Sequence, residues 1–439
     1  MSAKGLIIAA ASSASGKTTV TLALLALLKR RGVAVASCKV GPDYIDPQFH
    51  ARATWRPCFN LDSWAMRPAT LAHLVQQATR DTELLIVEGV MGLFDGAPSD
   101  SDLAPGSTAE IAARTRLPVV LVLRAKGIGA TAAALLQGLK RHHRDVQVAG
   151  VIFNDVGGER HRAMLAQAAA RADLPVLGYL PAFDDIALPS RYLGLVQARE
   201  HDSFDRYLDR LCAQFAPHLE LDALRALAAV PTLAPSEPVR AIAPFGQRIA
   251  VADDVAFGFS YAATLLGWRA AGAEIVPFSP LADQAPDQAA DAIYLPGGYP
   301  ELHAGKLAAN TAFMDGVRQA ARKGTAIYGE CGGYMTLGDG LIDAQGERHA
   351  MAGLLPVVTS FAERKLHLGY RQGRLLADGP LGEINCVFRG HEFHYATVVS
   401  EGPGESLFEV EDAACRKLGR HGRRQGSVFG SFLHLIDEA

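Results

Sequence analysis

The chain has 439 residues, 49% hydrophobic and 20% charged, with a formal net charge of -3. That balance describes an ordinary globular protein and gives no electrostatic reason to expect nucleic acid or an anionic membrane as partner. The length exceeds what one core usually fills, so two domains of roughly 200 residues each are expected.

The opening MSAKGLIIAAASSAS has the basic-then-apolar texture of a short signal peptide. Cleavage there would destroy the motif that follows, so Gly5–Ala10 is read instead as a first buried strand. Residues 11–19, ASSASGKTT, place a serine-rich loop and Gly16-Lys17-Thr18 between that strand and a helical pattern over Thr18–Arg31. This is the strand–loop–helix context of a P-loop, in which backbone N–H groups and a helix N-terminus hold phosphate oxygens. Ser15, Gly16, Lys17, Thr18 and Thr19 are the phosphate-binding candidates, with Lys17 on the β/γ-phosphates and the Thr18 hydroxyl on Mg²⁺. Ala11 stands where the usual motif has its first glycine.

Val33–Ser37 is the next strand candidate, and CKVGPDYIDP (38–47) follows with Lys39, Asp43 and Asp46. Gly, Pro and Asp also make ordinary surface turns. A metal-nucleotide site nearby tips the reading towards metal ligands and substrate-orienting groups. Leu84–Glu88 (LLIVE) is an apolar strand ending in a carboxylate, a candidate metal ligand. Asp95 in GLFDG is a weaker candidate of the same kind. Pro118–Leu123 and Val146–Phe153 are further strands, with a helix over Ala130–His142 between them. Continuous apolar strands alternating with helices predict a parallel sheet covered on both faces, with ligands at the strands' carboxyl ends. Lys140-Arg141-His142-His143-Arg144 reads as the solvated end of a helix.

Residues 216–246, punctuated by Pro217, Pro231, Pro235, Pro238 and Pro244, read as a Pro/Ala-rich linker. It would separate an ATP-binding domain over 1–215 from a second domain over 247–439. Alternation then restarts at Arg248–Ala252, Glu274–Pro277, Ala292–Leu295, Thr325–Tyr328 and Ser427–Phe432, so the second domain is also α/β. Thr325–Glu330 delivers Cys331 into Gly332-Gly333. A strand–elbow–helix of this kind presents a nucleophile and aims backbone N–H groups at an oxyanion. The flanking glycines predict an exposed thiol, and a helix N-terminus makes it easier to ionise. In LPGGYPE (295–301), Gly297 or Gly298 offers a second oxyanion donor beside Gly332. His434 in SFLHLID is the chosen general base, with His391 and His394 in RGHEFHYA as rivals that could line the substrate cleft instead. Cys38, Cys58, Cys212, Cys331, Cys386 and Cys415 contain no CxxC pair, which argues against a zinc site or disulfides. With no apolar run near the ~18 residues of a membrane span, a cytoplasmic protein is expected.

GPDYIDP, LIVEGVMGLFDG, LPGGYPELH, GECGGYM, FAERKLHLGYR, HEFHYA and SFLHLID together resemble the cobyrinate or hydrogenobyrinate a,c-diamide synthases, glutamine-dependent ligases of cobalamin biosynthesis. The resemblance runs nearly end to end and is weakest in the linker. It implies a first domain like the P-loop, parallel-sheet domain of dethiobiotin synthetase and a second like the class I glutaminases. On matching positions, Thr18, Asp46 and Glu88 would hold Mg²⁺, and Lys17 and Lys39 would contact phosphate. Asn154 would read the adenine edge, and Asp43, Tyr44 and Asp95 would lie near the corrinoid carboxylate. Cys331 would be nucleophile and His434 base, with Gly298 and Gly332 forming the oxyanion hole. Many class I glutaminases carry an acid two residues after the histidine; here that position is Ile436, and Asp437 has the wrong spacing. The third member is missing or comes from elsewhere. The implied partners are ATP, L-glutamine and a corrinoid polycarboxylate, with amidation of the a and c acetates through an acyl phosphate. Ammonia is expected to travel a shielded path between the domains. A homodimer stays open, and neither nucleic acid nor membrane is expected. The rivals are a cobyric acid synthase, a nickel-tetrapyrrole diamide synthase and a partner-binding switch ATPase. The last would leave Cys331 without a purpose.

Overall fold

The computed structural model describes residues 3–183, 186, 189–191, 194–201, 203–233 and 242–439. The chain folds into two units, one of Met1–Trp64 with Pro68–Val239, and another of Ala65–Arg67 with Arg240–Ala439.

The first unit is built on seven strands, β1 (Lys4–Ala10), β2 (Val35–Val40), β3 (Phe59–Leu61), β4 (Leu84–Glu88), β5 (Val119–Arg124), β6 (Val148–Val156) and β7 (Val176–Pro181). Their spatial order is β3-β2-β4-β1-β5-β6-β7, and every pairing is parallel. β1, β2 and β4 are buried almost throughout, the pattern of strands covered on both faces. The chain leaves β1 towards β2 on one side and leaves its neighbour β5 towards β6 on the other, so the connections from these two strands run in opposite directions. That switch point opens a crevice at the strands' carboxyl ends, where the loop after β1 sits. Helix α1 (Lys17–Arg30) follows, buried from Val20 to Leu28. Gly16, at φ 90°, makes the turn into it. Helix α2 (Asp46–Thr54) starts with Pro47 in its first turn. Two strands of this sheet escape the sequence reading. β3 has three residues, and β7 (VLGYLP) carries the Gly and Pro that weaken a strand pattern. Of the expected linker, residues 216–233 are described. They include the helix Leu221–Leu227, whose Leu221 and Leu224 are buried. Residues 234–241, with Pro235 and Pro238, lie outside the described residues.

In the second unit a six-stranded sheet runs Glu274–Phe278, Arg248–Ala252, Ala292–Leu295, Ala326–Glu330, Val428–Ser431, Arg423–Gln425. All pairings but the last are parallel. A second, antiparallel sheet runs Lys417–His421, Phe408–Asp412, His367–Leu375, Val387–His394, His434–Glu438. A four-stranded sheet completes it. After Ser431 the chain leaves the parallel sheet, and at His434 it enters the antiparallel one. This crossing carries His434 to the end of the strand that bears Cys331. The extent of antiparallel structure was not legible. HLGYRQGRL holds two glycines and is largely half-buried, and KLGRH is mostly exposed, so neither shows a clean alternation.

Candidate active sites

In the first unit, α1, β2, α2 and β4 aim their polar ends at one point. Lys39 Nζ donates to Asp46 Oδ2 at 2.7 Å and to Glu88 Oε1 at 2.8 Å. Thr18 Oγ1 donates to Glu88 Oε1 at 2.6 Å and lies 3.3 Å from Asp46 Oδ2. Three hard oxygens therefore converge beside one cationic nitrogen, a donor set that suits Mg²⁺. Lys17 Nζ donates to Met91 O at 2.7 Å, and burial, then Lys39, lowers its pKa. Asp95, in the loop that follows Met91, accepts from Gly92 N at 2.8 Å and bears electrostatically on Lys17. Burial opposes the Glu88 charge, but Lys39 and His50 hold its pKa well below the carboxylate range. Lys39 is held above its ordinary value, Asp46 and Glu88 outweighing burial.

Local sequence explains the convergence. Asp43 Oδ1 accepts from Ile45 N at 2.7 Å and Asp46 N at 3.2 Å, so the GPDYIDP turn starts α2. Burial, then the neighbouring Asp46, raises Asp43 to about 7. Tyr44 is buried beside it, and Asn60 Nδ2 donates to Gly41 O and Asp43 O, bracing the turn. Ser15 Oγ donates to Ser12 O at 2.8 Å inside the loop, and Thr19 is half-buried in the first turn of α1. Asn154 Nδ2 donates to Ser15 O at 3.1 Å, so its amide braces the loop backbone. A Cβ on Gly16 would stand 2.4 Å from that Nδ2. One member went unnoticed in the sequence. His50 Nε2 is 2.7 Å from Glu88 Oε2, fully buried, with Cys58 Sγ 3.5 Å from Nδ1. Its spacing of four from Asp46 on α2 was the available signal.

In the second unit Cys331 turns the chain at φ 47°, ψ -102°, the strained geometry of a nucleophile elbow, and starts the helix Gly332–Leu337. The thiol is not exposed, as the flanking glycines had suggested; it is 2% accessible. Those glycines serve close packing instead. A Cβ on Gly333 would meet Leu295 O at 1.9 Å, and one on Gly332 would lie 3.0 Å from Gly298 N. The Gly298 and Gly332 backbones are thus neighbours, as an oxyanion hole requires. Easy ionisation is not found either. Burial, then Glu301, pushes the thiol well above its ordinary pKa, and a hydrogen bond from Gly332 N–H only partly offsets this.

Gly297 lies between Cys331 and His434. A Cβ there would lie 2.3 Å from His434 Cε1, 3.0 Å from its Nε2 and 3.4 Å from Cys331 Cβ. His434 is fully buried, and burial, then His391 and His394, lowers its pKa to about 3. The rivals are placed differently. His394 Nε2 bonds Glu392 Oε1 at 2.9 Å, and Arg371 Nε donates to Glu392 Oε2 at 2.6 Å. His391 faces His434 across the strand pairing, its pKa lowered to about 3 by burial and Arg371. Asp437 accepts from Arg67 N at 2.9 Å and pairs with the Arg67 guanidinium.

Among the described residues no helix is long and apolar enough to cross a membrane, and all six cysteines are free. Residues 6–195 match the CobQ/CobB/MinD/ParA nucleotide binding domain, and residues 248–439 the CobB/CobQ-like glutamine amidotransferase domain. A hydrogenobyrinate a,c-diamide synthase of a Sinorhizobium species is 51% identical, over 99% of both chains. Proteins of that name from Rhizobium meliloti (52%, over 99% of each chain) and Mesorhizobium japonicum (49%, over 100% of each) are similar to the same extent. With a nucleotide-binding unit carrying a P-loop, a second unit carrying a cysteine elbow, and this likeness along the whole chain, the protein belongs to the a,c-diamide synthase family of glutamine-hydrolysing carbon–nitrogen ligases.

Proposed function

We propose that the chain converts the a and c acetates of a corrinoid, hydrogenobyrinate or its cobalt form cobyrinate, into amides in cobalamin biosynthesis, using ATP and glutamine in the cytoplasm. The observation that carries this is full-length likeness at 51% identity to a hydrogenobyrinate a,c-diamide synthase. A carboxylate repels nucleophiles and has no good leaving group, so it must first be activated. In this reading ATP phosphorylates it. Ser15, Gly16, Thr19 and Lys17 bind the phosphates, while Asn154 steadies the loop and borders the adenine. Asp43, Tyr44 and Asp95 orient the corrinoid. Thr18, Asp46 and Glu88 would hold Mg²⁺, which supplies charge neutralisation on the phosphates. Lys39, now bridging Asp46 and Glu88, would turn to the transferred phosphoryl group.

At the second site, Cys331 Sγ gives its proton to His434 as it attacks the glutamine amide carbon. The Gly298 and Gly332 N–H groups receive the oxyanion. The C–N bond breaks, ammonia leaves with the proton returned by His434, and water hydrolyses the thioester to glutamate. The ammonia then displaces phosphate at the activated acid.

The test is mass spectrometry of products from hydrogenobyrinate and cobyrinate supplied separately with ATP, Mg²⁺ and glutamine. Two replacements of OH by NH₂, each accompanied by ATP cleavage, are expected. Diamide formed without ATP consumption would sink the reading.

A further inference from the structure

We propose that Glu330, the residue immediately before the nucleophile, is the positioning acid of the Cys331–His434 pair, acting from the strand that carries the cysteine. The inference rests on the glutaminase reading above. The position two residues after the base is Ile436, and Asp437 is occupied by Arg67. Glu392 is spent on Arg371 and His394. Glu330 Oε2, by contrast, stands 3.8 Å from His434 Nδ1.

That approach is built from the backbone up. Glu330 follows Tyr328 by two residues on one strand, so both side chains face the same way. Tyr294, Tyr328 and Phe429 occupy matching positions on three neighbouring strands and stack, at 5.8 Å and then 5.2 Å between ring centres. On this aromatic ladder, Tyr294 OH donates to Glu330 Oε2 at 2.6 Å and Tyr328 OH to Oε1 at 3.0 Å. Leu435 N–H, the backbone just after the base, donates to Oε1 at 3.1 Å. One carboxylate thus fixes the main chain beside His434 and faces its ring.

The ring's orientation fits the task. Nε2 lies on the Gly297 side, 3.0 Å from where a Cβ of that glycine would stand, with Cys331 Cβ 3.4 Å from the same point, and Nδ1 lies 3.8 Å from Glu330 Oε2. When the S–H bond breaks, its proton goes to Nε2, and the imidazolium then carries its Nδ1–H towards the carboxylate. Glu330 takes no proton; it balances the charge until His434 passes the proton to the leaving ammonia. At 3.8 Å the contact is an ion-pair distance, longer than a hydrogen bond. Catalytic contacts of this kind are often loose before substrate binds and tighten with it.

The test compares Glu330→Gln, Tyr294→Phe and His434→Ala in the full-length enzyme, measuring glutamate release from glutamine and ammonium-supported amidation. Glu330→Gln should lose about 10²-fold or more in kcat for glutamine, with KM little changed and ammonium-supported activity kept. Combined with His434→Ala it should cost nothing further, because it acts through that residue. Tyr294→Phe leaves the Glu330 carboxyl in place but removes the donor that most offsets its burial, and burial already raises Glu330 to about 7. Assayed at about pH 9, where the carboxyl is ionised, this variant should stay within several-fold of the parent. A merely structural Glu330 gives another pattern: Glu330→Gln and Tyr294→Phe fall alike, or ammonium-supported activity falls with them. Either result overturns the proposal, as does a Glu330→Gln kcat within about threefold of the parent, or losses that multiply in the double variant. A parent enzyme releasing no glutamate would instead sink the glutaminase reading itself.

Discussion

Gly297→Ala would add one methyl group between Cys331 and His434, the proposed nucleophile and base. The new Cβ would stand 2.3 Å from His434 Cε1 and 3.0 Å from Nε2, against 3.4 Å from Cys331 Cβ. Carbon atoms attract best at about 3.5–4.0 Å, so the ring must retreat by about 1 Å while the cysteine stays. The clashing atom is the far end of a side chain, and the strain is relieved by displacing the imidazole. Stability should therefore fall only within the ~1–3 kcal/mol range of an overpacked site. Catalysis suffers more: a misplacement of about 1 Å can cost ~10²-fold, or about 2.7 kcal/mol of barrier. Glutamate release should drop by about that factor, while amidation supported by ammonium salts stays near the parent rate. The neighbouring Gly298→Ala makes the contrast, since its Cβ would lie 1.9 Å from the Ala256 carbonyl oxygen, which cannot swing aside. That variant should be the one that loses melting temperature. A Gly297→Ala enzyme hydrolysing glutamine within about threefold of the parent would refute the placement of His434 as base.

Cys331→Ala should abolish glutamine-supported amidation and spare ammonium-supported amidation; failure of ammonium in a variant that still binds ATP would break the division of labour. Chelating Mg²⁺ should instead stop amidation from both nitrogen sources, and amidation persisting at full rate in EDTA would exclude Thr18, Asp46 and Glu88 as a metal site. Burial alone would lower the His50 pKa, but Cys58 and Glu88 raise it from 6.5 to about 10. Because the folded value is the higher one, this contribution to stability is complete below pH 6.5 and is lost as pH rises towards about 10. Thermal melts should show a decline over that window which His50→Gln flattens, and parallel curves for the two proteins would count against it.

The two sites were legible in the sequence for different reasons. Gly16-Lys17-Thr18 and Glu88 could be placed because apolar strands precede them and mark where a parallel sheet presents its loops. The meeting of Asp46 with Glu88 could not be read from spacing, since it depends on β2 and β4 being neighbours in the sheet. His50 shares a face of α2 with Asp46, but its contact could not be read for the same reason: its partner lies 38 residues away on β4. In the second unit, GECGG announced an elbow, but the sequence suggested an exposed, readily ionised thiol. Glycine was read there as freedom and exposure, whereas Gly333 and Gly298 are glycines because a carbonyl oxygen occupies the place of a side chain. Glu330 was read only as part of the run that delivers Cys331, because nothing local shows that Leu435 and His434 return to it.

The sites also differ in how they hold charge, which bears on what each must do. The first is built of ions. Lys39, Asp46, Glu88 and His50 are packed so tightly that each offsets the cost of burying another, and a metal-bound triphosphate can enter only by replacing some of these contacts. The second holds a thiol pushed up and an imidazole pushed down by burial, so Cys331 and His434, the proposed nucleophile and base, are both held towards their neutral forms. In the proposed reaction charge is created there when the proton crosses from Cys331 to His434. A buried pair of that kind gains from a carboxylate fixed close enough to meet the new cation and held by other donors beforehand. Glu330 is placed in that way, and its ties to Tyr294, Tyr328 and Leu435 keep the carboxylate in position while the imidazole beside it changes charge.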